Sequence, residues 1–287
     1  MKKGILSFFL ATLLFIVTFY LSAQLLSISR DYSLWGVGAL LGFILIFVID
    51  TLYIQQLAKF LPSKWTIFIS LFGVLLFAFI SLPSLRFATK VLPTVISFVL
   101  GVLAAAVYAS GLRKRYLYTF LIALFPFLLN LNIYSTWVHY IEFGNTSGEV
   151  SALRSVPFSA LDKNGKEVNS EQLKGKVVLL DFWFIGCAPC WKKFPDLQRF
   201  HEQYGDHPEV AIFAINRPMA SDHPGQSFES IQKKGYDFNV LQGDQKIMDD
   251  FGIYVYPTVV VLNKDGKIIF MGQLDEAITS VEEALQE

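Results

Sequence analysis

The first half of the chain contains a series of long apolar runs, and these constrain the fold more than any other feature. A helix needs about 20 apolar residues to cross the roughly 30 Å hydrocarbon core of a bilayer. Because a helix satisfies its own backbone hydrogen bonds, such runs are predicted to be transmembrane helices, with Pro126 kinking the last one. The five predicted spans are residues 5–26, 34–54, 65–82, 91–110 and 116–138.

Charge divides the chain at about residue 141. Residues 1–141 contain ten Lys and Arg but only two acids, whereas residues 142–287 contain fourteen Lys and Arg and twenty-two Asp and Glu. We therefore predict a membrane domain over 1–141, a polar linker over 142–152 and a soluble domain over 153–287. The soluble part has no basic stripe, so nucleic acid is not expected as a partner. The lipid bilayer is the partner expected for the first half of the chain.

The Lys and Arg residues that flank the spans predict the orientation, because the more basic side faces the cytoplasm. The amino terminus is therefore predicted to be cytoplasmic. Five spans then place the soluble domain in the periplasm or at the cell exterior, whereas an even number would reverse this. The expected location is the cytoplasmic (inner) membrane. The two sides carry Lys2, Lys3, Lys59, Lys64 and Arg113 to Arg115, against Arg30, Arg86, Lys90 and Arg154.

Two alternatives concern the membrane half. The first run also fits a signal peptide that ends at Ala23, although its apolar stretch is longer than usual. A transport or relay role stays open beside the favoured anchor or docking role, because intramembrane polar groups are often functional. No cysteine occurs in any span, so the helices cannot pass reducing equivalents by dithiol exchange. The polar residues at depth are Asp50, Gln55, Gln56, Asn130 and Asn132.

The soluble half alternates between predicted strands and helices, which is typical of an α/β domain. Residues 177–184 and 210–215 are nearly continuous apolar runs, as expected for strands buried on both faces. One helix is predicted to begin at Cys187, and three more follow toward the carboxyl terminus. The predicted helices are residues 187–204, 225–234, 245–251 and 275–285, and the predicted hairpins pair 156–161 with 166–168 and 258–262 with 267–271.

The only two cysteines, Cys187 and Cys190, lie where a predicted buried strand gives way to a helix. The free N–H groups and the positive dipole end of a helix start favour a thiolate at the first cysteine. The second cysteine is close enough to resolve a mixed disulfide. Pro189 suits the first helical turn, where its missing N–H costs nothing. The pair therefore predicts redox chemistry.

A structural disulfide and half of a zinc site are the alternatives for this pair. A structural zinc site needs four ligands, and the sequence contains no second cysteine pair. We expect neither a metal site nor a cofactor. The four histidines lack ligand spacing: His139, His201, His207 and His223.

Three motifs in register resemble the thioredoxin superfamily, specifically its membrane-tethered TlpA/ResA-like redoxin branch of thiol–disulfide oxidoreductases. They are VPFSALDKNGKEVNSEQLKGKVVLLDFW at 156–183, CAPC at 187–190, and YPT at 256–258 followed by NKDGK. The resemblance covers residues 156–284. It implies that the α-helical multi-span domain is followed by a thioredoxin-like α/β domain with a central mixed sheet flanked by helices.

The resemblance implies a role for each matching residue. Cys187 would be the attacking nucleophile and Cys190 the resolving thiol. Asp181 would be the buried acid that assists proton movement, and burial would raise its pKa. A substrate surface would include Tyr256, a cis Pro257, Trp183 and Pro189.

Two residues depart from the family pattern. Gly186 replaces the tryptophan usual in thioredoxins proper, which argues against a general cytosolic thioredoxin. Lys193 stands where many TlpA/ResA-like proteins carry a glutamate associated with apocytochrome reduction. The lysine would either favour the thiolate or be solvated.

The function predicted from the sequence is extracytoplasmic reduction of protein disulfides, with a separate membrane electron donor restoring the dithiol. A disulfide oxidase or isomerase is the alternative, because only the reduction potential separates these directions. A peroxiredoxin-like peroxidase is less favoured, because its peroxidatic motif is absent. A membrane redox sensor or scaffold, and a transporter with a thioredoxin-like appendage, also stay open.

Overall fold

The computed structural model describes residues 2–32, 35–80, 85–150 and 154–286. These residues form two compact units, Met1–Ile141 and Glu142–Glu287. The predicted ends of two spans, at Leu34 and Leu82, and the end of the predicted linker at residues 151–152 lie outside the described residues.

The first unit is helical throughout its described secondary structure. Four of its helices are long and apolar enough to cross a membrane, over Lys3–Leu26, Trp35–Gln56, Ser63–Ile80 and Ala88–Tyr108. The helices are α1 (Lys2–Tyr32), α2 (Trp35–Gln56), α3 (Ser63–Ile80), α4 (Leu85–Tyr108), α5 (Arg115–Leu128) and α6 (Tyr134–Phe143), with a π-helical segment at Leu129–Ile133.

The fifth predicted span is not one regular α-helix. Helix α5 has only 14 residues, and the π-helical segment Leu129–Ile133 separates it from α6. Pro126, inside α5, lacks the N–H that an uninterrupted helix needs. The Asn130 side chain donates to the Pro126 carbonyl at 2.6 Å and to Ser97 Oγ of α4 at 2.9 Å. Residues 115–143 nevertheless remain helical throughout.

The second unit is a seven-stranded mixed sheet in the order β2-β1-β5-β4-β3-β6-β7. Strands β3, β4 and β5 are parallel, while β6 pairs antiparallel with β3 and β7 with β6. The strands are β1 (Ser159–Leu161), β2 (Glu167–Asn169), β3 (Val177–Trp183), β4 (Val210–Asn216), β5 (Val240–Gln242), β6 (Thr258–Leu262) and β7 (Ile268–Gly272). The helices are α7 (Ala188–Tyr204), α8 (Gln226–Lys233), α9 (Gln245–Phe251) and α10 (Leu274–Ala284), with a 3₁₀ turn at Ser170–Leu173.

Both faces of β3 are buried, as its continuous apolar sequence predicts. Successive side chains of a strand point to opposite faces. Leu179 and Trp183 pack with α7 and α10 on one face, while Leu180 and Phe182 pack with α9 on the other. The sheet therefore has two cores, and the two cysteines belong to the first of them.

The predicted linker is not free of the soluble unit. Asn145 Nδ2 donates to the Met271 carbonyl at 3.1 Å, Met271 donates its N–H to the Gly148 carbonyl at 2.7 Å, and Val150 donates to Ile269 at 3.0 Å. Residues 145–150 thus run along the edge strand β7. The small, polar composition on which the linker is predicted suits a docked extended segment as well as a loop.

Candidate active site

Cys187 and Cys190 form a disulfide at the start of α7. Cys187 is the N-cap residue, and its Sγ accepts a hydrogen bond from the Cys190 N–H at 3.2 Å. The Cys187 N–H itself donates to the Phe184 carbonyl at 3.0 Å. Cys187 is 2% exposed and Cys190 is fully buried. Any partner that reaches the disulfide directly must therefore approach Cys187.

The sequence around the pair explains why a helix begins here. Pro189 occupies the first turn, where no N–H is required, and it is exposed beside the disulfide. Trp191 Nε1 donates to the Ile185 carbonyl at 2.7 Å, which holds the turn before Cys187 against the helix. Neither Trp191 nor Ile185 was among the predicted site residues, because a hydrogen bond across a turn has no sequence pattern.

Asp181 lies on β3 between Leu179 and Trp183 on the face that packs against α7. It is 1% exposed, and neither carboxyl oxygen has a hydrogen-bond partner among the described residues. Burial raises the pKa of Asp181 to about 8. A carboxyl group with such a pKa exchanges a proton near neutral pH, which is the property that the predicted proton-transfer role requires.

Trp183 lies in the core and not on the surface where the sequence interpretation placed it. Its side chain is fully buried, with the ring edge-on to Trp191 at 5.4 Å and to Phe194 at 5.1 Å between centroids. The alternation along β3 directs it beneath α7, so it supports the helix that carries the cysteines. This position gives Trp183 a packing role beneath α7, and its predicted contact with substrate stays a prediction.

The loop before β6 supplies the other predicted residues of the site. The Tyr256–Pro257 peptide bond is cis, and the Tyr256 ring packs edge-on against Phe184 at 5.2 Å between centroids. Burial raises the pKa of Tyr256, and the nearby Arg217 guanidinium opposes that rise. Arg217, which follows β4, was not predicted from the sequence. It is held by its N–H, which donates to the Trp183 carbonyl at 2.8 Å.

Lys193 forms an ion pair with the first turn of α10. Its Nζ lies 2.8 Å from Asp275 Oδ2 and 3.8 Å from Asp196 Oδ2. The side chain is 32% exposed, so water screens the pair in part. The positive charge of Lys193, one helical turn beyond Cys190, is therefore partly compensated by two carboxylates.

These features define a thioredoxin-like site for thiol–disulfide exchange. They are a Cys-x-x-Cys pair at the start of a helix, a buried carboxyl on the same side of a mixed sheet, and a loop with a cis-proline. The Redoxin family model matches residues 150–285, and this domain of the chain belongs to that family.

Curated relatives of this domain are thiol–disulfide oxidoreductases and a thioredoxin-like protein. The thioredoxin-like protein YneN of Bacillus subtilis is 27% identical over 142 residues, which cover 49% of this chain and 82% of YneN. The thiol–disulfide oxidoreductase ResA of Bacillus subtilis is 32% identical over 113 residues, which cover 38% of this chain and 59% of ResA. The match therefore spans less than two thirds of ResA.

Among solved structures, the domain is similar to a thiol:disulfide interchange protein from Bacteroides sp. The two are 22% identical, with a TM-score of 0.41 over 49% of this chain and 91% of that one.

Proposed function

We propose that the protein is a membrane-anchored thiol–disulfide oxidoreductase that reduces disulfides of protein clients outside the cytoplasm. The observation that carries the proposal is the Cys187–Cys190 disulfide at the start of α7, with the unpaired carboxyl of Asp181 buried on the same side of the sheet. The ResA-type relatives support the class of reaction.

The reaction begins from the reduced protein. The Cys187 thiolate attacks one sulfur of a client disulfide, a mixed disulfide forms, and the other client sulfur leaves as a thiolate that takes up a proton. Cys190 then loses its proton, with Asp181 as the acceptor when that carboxyl is ionised. The Cys190 thiolate attacks Cys187 Sγ, which restores the Cys187–Cys190 disulfide and frees the second client thiol.

Two electrons thus pass from the protein to the client in each cycle. A separate electron donor must return them, because this sequence contains no cysteine outside this pair. We propose that this donor is a membrane protein. Running the same steps backwards would oxidise client dithiols, so the direction depends on the reduction potential of the pair.

The reduction potential of the full-length protein tests the direction. The protein is equilibrated in thiol–disulfide buffers and the two redox forms are counted by mass spectrometry. A potential near or below about −250 mV, in the range of thioredoxin, supports the reductase. A potential near about −120 mV would overturn it in favour of a disulfide donor.

The proposed location rests on the helical segment 115–143 acting as a fifth span. This segment has 29 helical residues in all, and at about 1.5 Å per residue that length exceeds the roughly 30 Å hydrocarbon core. Several of its large apolar side chains are exposed within the unit, as expected for lipid contact. Together with the basic residues on the amino-terminal side, five spans support an extracytoplasmic domain. These exposed side chains include Tyr116, Leu117, Phe120, Leu121, Phe125 and Phe127.

A further inference from the structure

A surface cavity of about 150 Å³ lies between the turn that precedes Cys187 and the loop that follows β4. Ile185, two residues before Cys187, forms one side, and Pro218, Asp222 and His223 contribute to the other. The volume is several times the roughly 30 Å³ that one water occupies in the liquid. One medium-sized side chain would fit.

The loop that walls this cavity is held by its own hydrogen bonds. Asp222 Oδ2 accepts from the Met219 N–H at 2.9 Å, and Gln226 Oε1 accepts from the His223 N–H at 3.0 Å. The start of the loop is fixed as well, because the Asn216 carbonyl accepts from the Gly243 N–H at 2.9 Å. The cavity is therefore preformed, as binding sites commonly are.

Asn216, the last residue of β4, lines the cavity and has an unused donor. It lies opposite Trp183 in the parallel ladder and, by the alternation along β4, on the face of α7. The residue is 2% exposed, and its Nδ2 has no hydrogen-bond partner in the described part of the chain. A buried amide without a partner is costly to the fold, which calls for an explanation other than stability.

We propose that this cavity binds one side chain of the client, from the residue next to the client cysteine that Cys187 attacks. Asn216 Nδ2 donates a hydrogen bond to that side chain. The inference rests on the proposed function. The torsion that orients an asparagine amide is soft, so the amide turns toward an acceptor that enters the cavity. A client seated in this way would present its disulfide to Cys187.

The charges around the cavity select the kind of side chain. Asp222 and His223 line it, and His223 Nε2 lies 3.8 Å from a carboxylate oxygen of Glu229, so one carboxylate belongs to the lining and a second lies next to it. A client carboxylate would be repelled, whereas an uncharged acceptor meets no such penalty. The favoured occupant is therefore a neutral side chain with an acceptor oxygen, such as asparagine.

A double-mutant cycle between protein and substrate tests this inference. The substrates are two disulfide-bonded peptides that differ only by Asn or Leu next to the cysteine. The proteins are the full-length wild type, Asn216→Leu, and the control Gln232→Leu, which removes an exposed amide from α8 outside this cavity. We measure kcat/KM for each combination, together with the urea midpoint of each protein.

The wild type should prefer the Asn peptide on the order of tenfold, the effect of one neutral hydrogen bond. Asn216→Leu should lower this ratio to about one without lowering the urea midpoint, because it removes an unpaired donor. Gln232→Leu should keep the ratio. Equal kcat/KM for both peptides in the wild type, or a preference that survives Asn216→Leu, would overturn the inference. Failure of the wild type to reduce either peptide, while Cys187 still reacts with a small aromatic disulfide, would overturn the proposed function and this inference with it.

Discussion

The backbone N–H of Cys190 donates a hydrogen bond to the Sγ atom of Cys187 over 3.2 Å. After reduction, the same N–H and the start of α7 face the Cys187 sulfur, where they favour its thiolate. Cys190 has no comparable position, because it lies inside the first helical turn and is fully buried. The two sulfurs are therefore unequal, and this inequality can be measured.

We expect Cys190→Ser to accumulate a mixed disulfide between Cys187 and a disulfide-bonded peptide, because the resolving sulfur is missing. Cys187→Ser should form far less adduct, since its remaining sulfur is buried. Intact-protein mass spectrometry after incubation with the peptide measures both adducts. Equal adduct formation by the two variants would refute the assignment of nucleophile and resolving thiol.

The pKa of Asp181 predicts a pH-dependent stability. Burial raises this pKa from 3.8 to about 8, so between these values the folded state keeps a proton that the unfolded state releases. Stability therefore falls as pH rises through the window, by an amount on the order of a few kcal/mol. Asp181→Asn should lack this fall. The carboxyl-terminal domain is unfolded by urea within the full chain, and its unfolded fraction is monitored by its susceptibility to a protease. The protein is kept oxidised so that thiols do not titrate. Parallel pH profiles would contradict the prediction.

The ion pair between Lys193 and Asp275 predicts opposite effects for its two partners. Asp275→Asn leaves the Lys193 charge less compensated, so the thiolate fraction of Cys187 should rise and alkylation of the reduced protein should accelerate about two- to threefold at low salt. Lys193→Gln should slow alkylation. Lys192→Gln, which removes the same charge from the neighbouring position, serves as the control. A salt-independent effect, or an equal effect of the control, would exclude this electrostatic explanation.

The two cysteines also provide a test of membrane orientation. After mild reduction of intact cells, a membrane-impermeant maleimide should label Cys187 if the domain lies outside the cytoplasm. A permeant maleimide is the positive control for reduction and access. Labelling by the impermeant reagent only after permeabilisation would place the domain inside the cell and would contradict the proposed orientation.

Gly148 predicts how firmly the segment before β1 is attached. Gly144 and Gly148 both have positive φ angles, but an added Cβ would collide with the Phe270 ring only at Gly148, while nothing lies near Gly144. Alanine at either position costs about 1 kcal/mol through the backbone. Gly148→Ala should cost more, and it should speed proteolysis within residues 145–150. Equal rates for the two variants would mean that the segment is not docked on β7.

The buried strands and the redox helix were predictable because their signals are local. The apolar runs of β3 and β4 and the helix after Cys187 need only a few neighbouring residues to be recognised. Strand β5, Val240–Gln242, was missed because it has three residues and exists only by pairing with β4 and β1. No alternation can be detected over so short a stretch.

The parts of the site that sequence did not predict depend on contacts between distant residues. Arg217 approaches Tyr256 because β4, which ends before Arg217, and β6, which begins after Tyr256, both flank β3 in the strand order. Trp183 is buried because α7 covers it. Its aromatic side chain alone does not reveal this, because an aromatic residue suits a substrate surface equally well. The break after Pro126 was expected as a kink, but it takes a π-helical form in which the Asn130 side chain donates to the Pro126 carbonyl, a contact that sequence spacing does not reveal.

The full burial of Cys190 has a kinetic consequence. In the proposed reaction, both the client and the electron donor react at Cys187, so one cannot dock there while the other is bound. With a single dithiol, the protein stores one electron pair and must discharge it before it is loaded again. Its steady-state kinetics should therefore be ping-pong, with each partner acting as a competitive inhibitor of the other at high concentration.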